Sequence, residues 1–275
     1  MTRKLLAMDL DGTAVKDDYS MEESTIDAIR TAQASGHVTA FVSGRRDVDM
    51  LSINEQQWAV DYHILNNGGK IIRCKDKTVI RNEYISKEVC KKMIRFALDQ
   101  GLQLHILSGL LWQVTRMTDS TLQYAKTLGV IPETIDGSEK IDLDHIEGFM
   151  ATADWKQVAD FIDEEVPELV YVHSEPGTID IMKAGVSKSG GIKELSELLD
   201  IPLEDTIAVG NYYNDIDMIR KAGTGIAVAN SVDEAKLAAD YVTENDNEHG
   251  AIAEIIEKML KGDFDHERKI SAGHR

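Results

Sequence analysis

The chain has 275 residues, 43% of them hydrophobic and 28% charged, the balance of an ordinary soluble protein of one or two domains. Its 48 acidic residues against 30 basic ones give a formal net charge of −18, a field that repels nucleic-acid backbones and requires any phosphate site to be locally positive. Two cysteines without metal-ligand spacing exclude a disulfide framework, and with no signal peptide and no apolar run of membrane-spanning length the expected location is cytoplasmic.

Residues 4–13 read KLLAMDLDGT. The apolar run 5–8 predicts a buried strand that ends on Asp9, with Asp11, Gly12 and Thr13 in the turn behind it. Two carboxylates two residues apart, with no cation nearby in sequence, call for a positive partner, and Mg²⁺ is the usual one. Taken alone, the doublet is equally an Asp-Gly turn after a core strand.

Helical spacing over 21–35 stops at Gly36. A second apolar run, 37–42, ends in Ser43-Gly44-Arg45, and 47–57 is a further helix candidate. A third strand, 62–65, ends in Asn66-Asn67-Gly68-Gly69, and 70–73 with 78–80 predicts a hairpin. Strand alternating with helix points to a parallel sheet covered by helices.

The pattern then changes. Ser86 caps a predicted helix to residue 100, with Gly101 as its stop. Strands are expected at 102–107 and 111–115, a helix at 119–128, a strand at 148–153, a helix at 154–165 and a hairpin of 169–173 with 178–182. Strand pairs between single helices describe an α+β module with an antiparallel sheet, inserted over 82–182. Alternation resumes with a helix at 187–199 opening on Lys188, a strand at 206–209 ending in Gly210-Asn211, and a helix at 215–222. A strand at 225–228, a helix at 232–239, a strand at 241–243 and a helix at 250–260 complete the chain. The expected class is therefore α/β, a core of 1–81 and 183–275 interrupted by the insert.

Ligands of open parallel α/β sheets sit at the carboxyl ends of the strands. Asp9, Asp11, Ser43, Asn211 and Asp215 all fall at such ends, and Lys188 opens the helix that resumes the core. These are the groups phosphoryl transfer needs: a carboxylate nucleophile, a second carboxylate as acid and base, and hydroxyl, ammonium and main-chain N–H groups for phosphate oxygens. Mg²⁺ shields carboxylates from an anionic substrate.

DLDGT, VSGR, the lysine of GVSKSGG and GNYYND, in this order and spacing, resemble the four motifs of the haloacid dehalogenase superfamily of phosphatases. The resemblance covers nearly the whole chain. The insert is similar to the α/β cap of the Cof-type subgroup, and Asn66-Asn67-Gly68 to its asparagine-glycine stretch. The resemblance implies a Rossmann-like core with a cap that closes over substrate. It implies Asp9 as nucleophile and Asp11 as general acid and base, whose main-chain carbonyl also binds Mg²⁺. It implies Ser43, Gly44, Lys188 and Asn214 at the phosphate, Asp9, Asp11, Asn211 and Asp215 at the metal, and Thr13 as a cap on the nucleophile loop. The implied substrate is a small phosphorylated metabolite, by default a sugar phosphate; oligomeric state is not implied.

One position departs from the pattern. The family's fourth motif usually reads G-D-x-x-N-D, and its first Asp is a metal ligand; here that residue is Asn211. The formal charge of the cluster with Asp9 and Asp215 falls from −3 to −2, which weakens a Mg²⁺ site that holds few protein ligands. Three outcomes stay open: Asp215 preserves the site, Mg²⁺ affinity falls, or the protein binds a phosphorylated ligand with little turnover. A phosphomutase is a further alternative. Lys188, in a first helical turn where the dipole disfavours a cation, is expected to have a charge partner such as Asp9. Arg45 reads as either a salt-bridge residue or a phosphate contact. His105, Trp112, Arg116, His173 and Glu175 stand on insert strands and turns from which a cleft is lined.

Overall fold

A computed structural model describes residues 2–52, 60–137 and 141–265. Strand β1 (Leu5–Met8) is buried on both faces, the mark of a central parallel strand. Its side chains alternate: Leu6 and Met8 enter one apolar cluster, Leu5 and Ala7 another. Helices α1 (Glu23–Ala34) and, at the end of the chain, α8 (Ala251–Leu260) close the first cluster with Ile26, Ile29, Ile252 and Ile255. Each fully buried Leu, Ile or Phe contributes about 1.5–3 kcal/mol, so this two-sided burial is what fixes β1 in the centre.

Beside β1 run β2 (Val38–Val42) and β3 (Tyr62–Leu65), both parallel, then β4 (Lys70–Arg73) and β5 (Thr78–Asn82) as an antiparallel edge. The helix expected over 47–57 starts as a 3-10 turn, Asp49–Ser52, and residues 53–59 lie outside the described residues.

A second sheet follows. Helix α2 (Lys87–Gln100) starts where Ser86 Oγ accepts from Val89 N–H and ends on Gly101 in the left-handed conformation. Strands β6 (His105–Ser108) and β7 (Leu111–Val114), helix α3 (Asp119–Leu128), the short β8 (Glu133–Thr134), β9 (Gly148–Ala151), helix α4 (Trp155–Glu165), β10 (Leu169–Glu175) and β11 (Thr178–Lys183) make up this layer. Its order is β10-β11-β9-β6-β7-β8, antiparallel except for β7 with β8. Strand β6 begins three residues later than expected because Gln103 N–H and Leu104 N–H donate to side chains, Asp154 Oδ2 and Thr115 Oγ1. Strand β9 stops at Ala151 because Gln103 Oε1 also takes Thr152 Oγ1 and Ala153 N–H.

Helices α2 and α4 cover one face of this sheet, through Met93, Ile94, Val158 and Ile162 against Ile106, Phe149 and Ile181. The other face carries Leu107, Trp112 and Met150, packed on α3 and on Val48 of the first layer.

The chain returns through α5 (Lys188–Leu198) to β12 (Thr206–Gly210), α6 (Ile216–Lys221), β13 (Thr224–Ala227), α7 (Asp233–Ala238) and β14 (Tyr241–Val242). The first sheet is thus β14-β13-β12-β1-β2-β3-β4-β5, parallel from β14 to β3. The expected α/β class, with a parallel core sheet and an antiparallel insert sheet, is the observed one.

Candidate active site

Register brings the motifs together. Met8 lies opposite Phe41 of β2 and Val209 of β12, so Asp9, Ser43 and Asn211 leave three adjacent strands at the same edge. Asp9 N–H still donates to Val209 O at 2.9 Å, holding the residue in line with the sheet. Behind it the chain turns through Gly12 at φ +69°, where Thr13, Ala14 and Val15 N–H groups all converge on Leu10 O. A Cβ at Gly12 would collide with the Asn211 amide, so the first and fourth motifs touch here. Thr13 is buried, but its Oγ1 has no hydrogen-bond partner among the described residues. The expected side-chain cap is therefore replaced by the main-chain bonds to Leu10.

Lys188 is the centre of the charge arrangement. Its Nζ donates to Asp9 Oδ1 and to Asp215 Oδ1, each at 2.6 Å. Asp9 is 5% exposed, Lys188 2% and Asp215 0%. The partner expected of this first-turn lysine is thus Asp9, with Asp215 beside it. Asp215 Oδ2 accepts from Asn211 and Tyr212 N–H at 2.8 and 3.0 Å, and a Cβ at Gly210 would stand 2.5 Å from Asp215 Cβ. Both oxygens of Asp215 are thereby engaged, and its place is behind Lys188.

Two carboxylates share one ammonium. Burial, then repulsion from Asp215, pushes Asp9 up to about 7, against the attraction of Lys188. Burial alone would depress Lys188, but Asp215 and Asp9 outweigh it and hold the ammonium above its ordinary range.

Asp11 faces away from this triad. Its carboxylate, 46% exposed, takes two hydrogen bonds of 2.8 Å from Arg45 Nε and Nη2. Arg45 also lies over the Tyr19 ring at 4.9 Å, so of its two expected readings the structure shows the salt bridge. Ser43 is buried, its Oγ accepting from Arg45 N–H at 3.0 Å. Gly44 lies where a Cβ would meet Asp180 Oδ2 and Asn67. Asn214 is 3.5 Å from Asn67 Oδ1, and Asn67 Nδ2 donates to Asp180 Oδ2 at 3.2 Å.

The candidates other than Asp215 open on one cavity of about 540 Å³ between the two sheets. Asp9, Asp11, Ser43, Gly44, Lys188, Asn211 and Asn214 line it; Asp215 does not. Of the insert residues marked in the sequence, His105 and Glu175 line it. Trp112, Arg116 and His173 do not: Trp112 supports His105, Arg116 pairs with Asp154, and His173 packs edge-on to Trp155. Sequence reading missed Arg46, Asp49 and Tyr124, which join loop to insert. Arg46 grips Asp49 with Nε and Nη2, and Tyr124 Oη donates to Asp49 Oδ1 at 2.8 Å. The doubled arginine of SGRR was the available signal.

Among the described residues no three His, Cys, Asp or Glu side chains gather as a metal cluster. Asp9, Asp11 and Asn211, which line the cavity, are residues whose available donors to a cation are oxygens: carboxylate, main-chain carbonyl and amide. Mg²⁺ takes such oxygens and keeps several waters. Two buried carboxylates against a single lysine leave negative charge that a cation would balance. The residues fit Mg²⁺ on these two grounds.

The family model of haloacid dehalogenase-like hydrolases matches residues 6–256. The chain belongs to that family. The phosphatase YwpJ of Bacillus subtilis is 25% identical over 291 residues, across 94% of this chain and 100% of its own. A haloacid dehalogenase-like hydrolase from Bacteroides thetaiotaomicron superposes with a TM-score of 0.83 at 25% identity, over 94% of this chain and 100% of its own. A subclass IIB sugar phosphatase superposes with a TM-score of 0.79 at 25% identity, over 93% and 98% of the two chains. This haloacid dehalogenase-like protein is a phosphatase of the subclass IIB, or Cof-type, branch.

Proposed function

We propose that this phosphatase hydrolyses a small phosphorylated metabolite, a sugar phosphate first, with Mg²⁺ and through an aspartyl phosphate on Asp9. The observation that carries the reading is Asp9 itself: a buried carboxylate at the end of the central strand, bonded to Lys188 and opening on the cavity.

Asp9 attacks phosphorus, and the bond from phosphorus to the ester oxygen breaks. Asp11, released from Arg45 and carrying a proton taken from solvent, gives that proton to the departing alkoxide. Asp11 then takes a proton from water as that water attacks the aspartyl phosphate, which frees inorganic phosphate and restores Asp9. Lys188 and Ser43, with Gly44 N–H and Asn214, hold the phosphoryl oxygens. Mg²⁺ would be held by Asp9, the Asp11 carbonyl and Asn211, and would supply charge that screens Asp9 from the anionic phosphate. Asp215, with both oxygens taken, positions Lys188 in place of the metal role expected from sequence. The insert expected over 82–182, of which Asn82 belongs to β5 while Lys183 still belongs to β11, serves as the cap whose sheet forms the far wall of the cavity.

Purified protein is expected to release phosphate from p-nitrophenyl phosphate with Mg²⁺, and Asp9→Asn to abolish this. A variant that keeps the parent rate would exclude the mechanism. Asn211 favours a second reading, a phosphate-ligand binding protein with weak turnover. It is distinguished by ligand-induced stabilisation without phosphate release.

A further inference from the structure

His105 of β6, Met150 of β9 and Asp180 of β11 stand directly opposite one another on three neighbouring strands. They form one row on one face of the cap sheet. All three line the cavity. Arg46, from the loop after β2, reaches up to this row. Its Nε and Nη2 are committed to Asp49, while Nη1 meets the Met150 sulfur at 3.6 Å. A thioether is a weak acceptor for a guanidinium N–H.

His105 is in a related position. Trp112 Nε1, which can only donate, gives its hydrogen to His105 Nδ1 at 2.9 Å. The ring is therefore neutral with its proton on Nε2. Burial, reinforced by Arg46, pushes its pKa down to about 3 and keeps it neutral. Nε2 has no hydrogen-bond partner among the described residues, and His105 is 1% exposed. Among the described residues, two neighbouring buried donors thus lack an oxygen acceptor, in the same cavity that Asp9 opens on.

The charges around them restrict what that acceptor is. Asp11, Asp49, Glu175 and Asp180 line the cavity too, and Arg45 and Arg46 are already paired with Asp11 and Asp49. A second anionic group remote from the phosphate would meet Asp49, Glu175 and Asp180, where among the described residues the cation at the row, Arg46, is already held by Asp49.

We propose that Arg46 Nη1 and His105 Nε2 are the recognition point for an uncharged leaving group, each donating to a hydroxyl or carbonyl oxygen remote from the phosphate. The cavity thereby selects polyhydroxylated monophosphates and rejects esters that carry a carboxylate or a second phosphate. The inference rests on the phosphatase reading, because it takes Asp9 as the phosphate end.

The test uses the full chain and a panel: ribose 5-phosphate, glucose 6-phosphate and their 2-deoxy partners, against 2-phosphoglycolate and fructose 1,6-bisphosphate. kcat/KM is expected to be at least tenfold higher for the sugar monophosphates than for the two esters that carry a second anionic group. That preference should shrink at least fivefold in His105→Phe and in Arg46→Met, and return in His105→Gln, which restores a donor. Loss that is uniform across the panel, or equal use of 2-phosphoglycolate, overturns the inference. Binding of the same panel to Asp9→Asn by calorimetry reads recognition without chemistry. The same ranking in binding with no turnover by the parent would sink the phosphatase reading and keep the recognition point. A flat ranking in binding would sink the recognition point alone.

Discussion

Arg45 grips Asp11 through two parallel hydrogen bonds of 2.8 Å. The proposed general acid is thus held at the cavity mouth by a planar cation that fixes both of its oxygens. Asp11 must exchange this partner for the ester oxygen, so Arg45 sets the side chain's resting place. Arg45→Met is expected to lower kcat for alkyl phosphates about tenfold more than for p-nitrophenyl phosphate, whose leaving group needs little protonation. Equal losses on the two ester types would show that Arg45 does not act through the acid.

Among the described residues, Lys188 is the one cation bonded to both Asp9 and Asp215. Lys188→Met leaves two buried carboxylates facing each other. The expected cost is about 3–5 kcal/mol at pH 8. The loss should shrink at pH 5, where one carboxylate takes up a proton. Urea unfolding at the two pH values measures it.

Asp9 gives a pH dependence of definite sign in the metal-free protein. Its folded value of about 7 lies above the ordinary carboxylate value, so the folded state binds more protons than the unfolded chain. Its contribution to stability is complete below about pH 4 and is lost as pH rises through 7. Asp9→Asn removes the ionising group. The variant is expected to gain on the parent between pH 5 and pH 8, by about 2–4 kcal/mol at the upper end. Chemical denaturation in chelator checks this, and Mg²⁺ should narrow the gap by stabilising the parent alone.

Asn211→Asp tests the fourth motif. The side chains are nearly isosteric, so the contact with Gly12 survives. The new charge joins Asp9 and Asp215, and should destabilise the metal-free protein by about 1 kcal/mol at neutral pH. It should also lower the Mg²⁺ concentration for half-maximal activity about tenfold or more. No change in Mg²⁺ dependence would place residue 211 outside the metal site.

Much of this architecture is legible in the residues because its signals are local. The run before Asp9 is short, apolar and ended by a turn. Ser86 and Gly101 mark a helix by their own backbone chemistry. The awkward place of Lys188 in a first turn points to a charge partner. What escaped reading comes from one surface meeting another. The Arg46–Asp49–Tyr124 cluster exists because a core loop meets the cap, and no spacing in the sequence encodes that approach. Asp215 is a local case: its two backbone donors, three and four residues away, depend on the tight turn after Gly210. Thr13 differs for another reason: the resemblance implies a side-chain cap, yet main-chain donors close this turn.

The pairing of β1 with β12 also sets an order of assembly. Leu5 lies opposite Thr206, a separation of 206 − 5 = 201 residues. During synthesis the first strand emerges early, yet one of its two neighbours is made only after the whole inserted sheet. The insert's own pairings are mostly near in sequence, as in His105 with Val114 and Val172 with Asp180. Contacts of short separation close sooner than distant ones. The second sheet is therefore poised to fold while the strand that ends on Asp9 still lacks one side of its sheet, and the edge that carries Asp9 is completed last.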